Sequence, residues 1–135
     1  MFESKIAIVV RDDLATWQKL NVTAFLMSGI TGASPEIIGE KYRDANNNEY
    51  HSLCIQPIIV LSANHDSMKT IHTRALERCA PHALYIEEMF STGHDEANRA
   101  IFAEYTPDNV KVVGIAMRGD KKTVEKITKG AKMHP

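Results

Sequence analysis

The sequence predicts an α/β domain, and three observations carry that prediction. Four short apolar runs, at residues 6–10, 57–61, 83–86 and 110–117, are rich in Val, Ile and Leu and carry a single charge, Lys111, the pattern of buried strands. Between them lie stretches with helical spacing and polar starts, so strands alternate with helices. Residues 20–27 are apolar nearly all the way round a helical projection, broken only by Asn21 and Thr23, which places a covered helix against the first strand.

Taken in order, residues 6–10 end at Arg11-Asp-Asp13, a polar loop follows, and either Asp13 or Thr16 can cap the next helix. Trp17 and Lys19 then fall in its first turn. Gly29 and Gly32, with Ala33-Ser-Pro35, close it. Residues 41–51 carry a polar turn at 45–48 between two tyrosine-bearing segments. This reads as a small β-hairpin or as a loop-rich insertion. After the strand at 57–61, Asn64 or Asp66 caps a helix from 67 to about 79, stopped by Pro81. The strand at 83–86 delivers Glu87 and Glu88 to its end. A polar loop, residues 91–98, leads to a helix at 96–105. The last strand runs into a helix at 121–129, capped at Gly119-Asp120 and ended by Gly130, with a free tail.

At 135 residues the expected organisation is one domain spanning 1–135, with enough chain to bury a core unaided. The net charge of −1 gives no whole-molecule attraction to nucleic acid. The charge is nonetheless uneven: residues 1–105 hold 9 Lys/Arg against 14 Asp/Glu, and residues 106–135 hold 7 against 3, enough for a local basic face. Two cysteines make no disulfide framework. The first apolar run is too short for a secretory signal, and no run approaches the ~20 residues of a membrane span. A cytoplasmic location without membrane contact is therefore expected.

Lys5-Ile-Ala-Ile-Val-Val-Arg-Asp-Asp-Leu14, the strand at 57–61, Ala83-Leu84 leading to Glu87, Val112-Val-Gly-Ile-Ala116 and Val124-Glu-Lys-Ile-Thr128 resemble, in order and spacing, the type 2 peptidyl-tRNA hydrolases of archaea and eukaryotes. The run Asp13-Leu-Ala-Thr-Trp-Gln-Lys-Leu-Asn-Val-Thr-Ala-Phe25, the Tyr42-Arg-Asp44 segment and Gln56-Pro57 are more closely similar to an uncharacterised bacterial family related to those hydrolases. The resemblance implies a mixed sheet of about four strands with helices on both faces, and a homodimer. It also makes Lys19 the counterpart of a catalytic lysine, Glu87 that of a catalytic aspartate, and Thr92 that of the threonines after it. The sequence departs from the hydrolase pattern elsewhere. The loop after the first strand lacks the Gly/Lys phosphate cradle, and Leu26, Met27 and Ser28 occupy the zone of a functional helix histidine.

Lys19 with Glu87 has the ingredients to activate a water on an ester carbonyl, or to form a plain ion pair. Trp17 suits stacking on a ligand ring, or anchoring in a core or dimer. His51 with Cys54 and Cys79 with His82 have zinc-like spacing, or are buried thiols beside surface histidines; no metal and no cofactor is expected. Ser91, His94 and Asp95 crowd one loop, which favours His94 as a loop-borne ligand contact over a triad. Lys121, Lys122, Lys126, Lys129 and Lys132 form a solvated face or a phosphate-tracking stripe.

Three readings follow. The favoured one is a binding domain for a small molecule or nucleotide, with Arg11, Asp13, Trp17, Thr92 and His94 as contacts and no efficient peptidyl-tRNA hydrolysis. The alternative is an esterase acting on peptidyl-tRNA or another acylated substrate through Lys19 and Glu87. The third is a dimeric structural module.

Overall fold

The computed structural model describes residues 2–135. In chain order it contains β1 (Ser4–Arg11), α1 (Thr16–Ala33), β2 (Tyr42–Arg43), β3 (Glu49–Tyr50), β4 (Ile58–Ala63), α2 (His65–Glu77), β5 (His82–Ile86), α3 (Asp95–Phe102), β6 (Val112–Asp120), α4 (Lys121–Thr128) and β7 (Lys132–Met133). Five strands form one mixed sheet in the order β5-β6-β1-β4-β7, while β2 and β3 form a separate hairpin. β1 runs parallel to β4 and antiparallel to β6.

The alternation of β1 explains the layering. Ala7 and Val9 face α2 and α4, joining Leu61, Met68, Ile71 and Ile127. Ile6, Ile8 and Val10 face α1, joining Val22, Leu26 and Ile30. Side chains on both faces of a central strand are withdrawn from water, so an unbroken apolar run is what that position needs.

The first helix differs from its sequence expectation in three ways. It is covered on one side only: Val22, Leu26 and Ile30 are buried, whereas Leu20 is 68% and Phe25 55% exposed, because the sheet meets one face and the other is largely open to solvent. It continues through Gly29 and Gly32 to Ala33, and ends where Ser34 N–H donates to the Ile30 carbonyl ahead of Pro35. A methyl group at Gly29 would stand 3.3 Å from Ala83 Cβ, so the missing side chain lets the helix lie close on β5. Neither Asp13 nor Thr16 caps its start. Ala15 takes that place, its N–H donating to the Gln18 side chain at 2.9 Å.

Elsewhere the hairpin reading holds. Asp44 organises the β2–β3 turn, accepting from the Asn46 and Asn48 amides, the Asn48 side chain and the Tyr50 hydroxyl. Those bonds, from Asn48 first, lower its pKa to about 2. Asn64 caps α2 by accepting from Ser67 N–H, and the helix begins two residues earlier than expected. α3 covers Asp95–Phe102, shorter than expected at its end. The tail is not free: β7 pairs antiparallel with β4 and makes the sheet five strands wide, where about four were expected. No helix among the described residues is long and apolar enough to cross a membrane.

Candidate functional site

Two groups of sequence-selected residues come together, and they are separate in chemistry. The first lies where β1 and β5 end. Arg11 is the last residue of β1, and its side chain is only 7% exposed. Its Nε donates to Asp13 Oδ1 at 2.6 Å, and one terminal nitrogen donates to Glu87 Oε1 at 2.7 Å. Burial alone would lower the guanidinium pKa; the bonds to Glu87 and Asp13 outweigh it and raise the pKa, so the charge is fixed. Lys111 Nζ stands 3.8 Å from the other Glu87 oxygen, and the Glu87 amide donates to the Lys111 carbonyl. Arg11, Asp13 and Glu87 therefore form one network that ties two strand ends together.

Lys19 is not part of it. Among the described residues Lys19 forms no ion pair, and its carbonyl accepts from Thr23 within the helix. Glu87 meets Arg11 and Lys111 instead. Beside it, Glu88 Oε1 is buried and is the orphan among side-chain oxygens of the described residues.

The second group is a cleft of about 660 Å³ between α1, β5 and α3. One wall is aromatic. Trp17 meets Phe90 edge-on at 5.9 Å, Phe90 meets Tyr85 at 5.3 Å, and Tyr85 meets Phe25 at 6.0 Å. Trp17 is nevertheless 61% exposed, so one side of the indole faces the open cleft. The Tyr85 ring is buried, which raises the hydroxyl's pKa; the hydroxyl makes no hydrogen bond to the described residues and is open to solvent, since it is not among their buried unpartnered atoms.

The rim is polar and pre-set. His94 caps α3, its Nδ1 accepting from Ala97 N–H at 3.2 Å, which leaves Nε2 as the protonated nitrogen of the neutral ring. The Thr92 hydroxyl is bonded to Asn98 and donates to the Met89 carbonyl at 2.9 Å. Arg99 pairs with Asp95 at 2.7 Å. Thr92 and His94 thus line the cleft together with Trp17, while Ser91 is not among its lining residues and the three do not compose a triad.

The sequence reading missed Phe25, Tyr85, Phe90, Asn98, Arg99 and Phe102 as cleft residues. A signal existed for Phe25: Trp17, Asn21 and Phe25 recur every four residues and share one side of α1. For Tyr85 and Phe102 no local signal exists, because only the packing of β5 beside α3 makes them neighbours.

The zinc-like pairs lead elsewhere. Cys54 Sγ contacts the Gln56 carbonyl at 3.3 Å, and His82 Nδ1 is bonded to the Ala80 carbonyl. His82 meets His72 edge-on at 5.7 Å, beside a smaller cavity of about 300 Å³. No group of three metal-ligating side chains occurs among the described residues.

A family model described as a protein of unknown function, DUF2000, matches residues 4–135. A solved structure of a protein of unknown function from Agrobacterium tumefaciens is 59% identical, superimposes with a TM-score of 0.99, and covers 100% of both chains. No curated protein matches the chain.

Proposed function

The chain belongs to the DUF2000 family, and we propose that it is a binding protein whose ligand occupies the aromatic cleft, without efficient peptidyl-tRNA hydrolysis. The observation that carries this reading is the cleft itself. About 660 Å³ lies within the range of organic ligand sites, and its apolar wall with a few convergent polar groups is their usual composition. The solvent-open Tyr85 hydroxyl and the half-open face of Trp17 offer contacts that no protein group takes among the described residues.

The kinship to peptidyl-tRNA hydrolases rests on the sequence resemblance alone, and the charges do not favour that chemistry. A general base needs a free lone pair at the substrate. Both Glu87 oxygens face cations already, and Lys19 stands outside the network.

Trp17 is the single tryptophan of the chain, so its emission reports on the cleft directly. A thermal-shift screen of nucleosides, aromatic acids and other small metabolites should yield compounds that stabilise the protein, by about 2.7 kcal/mol at a hundredfold excess over Kd. The same compounds should move Trp17 emission. Phe25→Ala should weaken them about threefold to tenfold, the worth of one aromatic contact. Stabilising compounds that leave Trp17 unchanged would remove the cleft as the site.

A further inference from the structure

We propose that the occupant of this cleft is an extended peptide that adds as a strand to the free edge of β5. The inference rests on the cleft being the binding site and names what fills it. Among the described residues β5 ends the sheet and pairs only with β6, so alternate backbone groups along it point outward. Ala83, Leu84 and Tyr85 line the cleft, and none of their outward groups is bonded to a loop or cap among the described residues. A compact ligand leaves that row of donors and acceptors unused. An extended backbone meets it group for group.

The walls agree with a strand. The 660 Å³ cavity lies on the α1 side of β5, and the 300 Å³ cavity, lined by His72, Leu76 and His82, lies on the α2 side. Leu84 and Phe102 line both. Successive side chains of a strand point to opposite faces, so an added peptide sends alternate residues into the two cavities. α1 lines the first cavity and α2 the second, with Phe102 of α3 common to both, so the edge is flanked by helices that a single extended segment meets less than the sheet of another folded molecule would.

Charge gives the peptide a direction. Glu87 and Glu88 follow β5, and Asp95 and Glu96 open α3. Arg11 and Arg99 neutralise Glu87 and Asp95, while Glu88 and Glu96 have no ion-pair partner among the described residues. An antiparallel peptide, the stronger pairing, brings its amino-terminal end to that acidic corner. The ligand class is therefore a peptide with a basic amino-terminal end and alternating apolar side chains, paired over the five residues of β5, roughly 17 Å of strand.

The test pans displayed random peptides of about seven residues against the protein and against Phe102→Glu, a surface change whose fold is checked by circular dichroism. The enriched peptide is then synthesised and titrated by Trp17 emission. The expected result is a basic-headed, alternately apolar sequence. N-methylation of every second amide should weaken it about tenfold or more, the intervening amides far less. No enrichment over the variant, or a flat N-methyl scan on the unmodified protein, overturns the proposal. If small aromatic compounds still move Trp17 in that case, the cleft reading survives and only the peptide falls. If they do not, both fall. A dimer in sedimentation velocity whose Trp17 ignores every peptide assigns the edge to a second copy and overturns the proposal too.

Discussion

At the scale of the residue, Arg11 decides how the end of β1 is built. A guanidinium this buried has five donors to satisfy, and removing one partner leaves part of the charge uncompensated. Glu87 is itself 40% exposed, so solvent recovers part of the loss. Glu87→Gln should therefore cost about 1–2 kcal/mol, toward the low end for a broken charged hydrogen bond. Lys19→Ala should stay within about 0.5 kcal/mol, because Lys19 holds nothing together. Urea unfolding of the two variants measures both. A stability loss at Lys19 with none at Glu87 would mean that the network is drawn between the wrong residues. The sequence pointed to Arg11 and Glu87 as neighbours because each ends a strand of the same sheet. It gave no means of telling which cation Glu87 would choose, since Lys19 and Arg11 lie eight positions apart at the same loop and differ only in reach and burial.

At the scale of the element, α1 lies on the sheet because Gly114 lets it. A methyl group there would come within 2.4 Å of Val22 Cγ1 and 2.9 Å of Leu26 Cδ1, both buried. Val22 is short and stiff and cannot swing away. Gly114→Ala should cost about 1–3 kcal/mol as an overpacked core does. Gly32→Ala meets nothing within 4 Å and should stabilise by about 0.5–1 kcal/mol, since alanine is the better helix former. Thermal denaturation of the pair should show midpoints moving in opposite directions. These glycines also mark where the sequence could be read and where it could not. β1 and β6 were legible because a strand buried on both faces needs an apolar run, and the half-buried β4 and β5 because each is a short apolar run of strand length. Asn64 was legible as a cap because its side chain has a local job. Gly29 reads locally as a helix stop, yet its close approach to Ala83 offsets the propensity cost, and that contact is 54 positions away in the chain. β7 is two exposed residues whose strand character exists only through β4. A helix apolar all round says nothing of which side the sheet will take, so the exposed Leu20 could not be foreseen, whereas Phe25 shares its side of the helix with Trp17.

At the scale of the whole molecule, the sheet separates the basic surface from the cleft. α4, with Lys121, Lys122 and Lys126 exposed, packs beside α2 on one face; α1 and the aromatic wall lie on the other. A hydrolase of peptidyl-tRNA must hold phosphates and present the ester to its reactive groups at the same time. Each phosphate contact adds to a steep salt dependence, and placement errors of ~1 Å cost ~10²-fold in rate. Here the lysines that could track phosphates are across the sheet from Trp17 and His94, and the region around Glu87 is already neutralised by Arg11 and Lys111. An N-blocked aminoacyl-tRNA incubated with the protein at low salt should therefore release little free tRNA, and Lys19→Ala and Glu87→Gln should leave that background unchanged. Unacylated tRNA should bind weakly if at all, lose its binding as salt rises, and leave Trp17 emission where it was. Efficient hydrolysis abolished by both substitutions would place a catalytic pair where the charges now indicate a structural one, and the aromatic cleft would then have to be re-read as the seat of an acyl group.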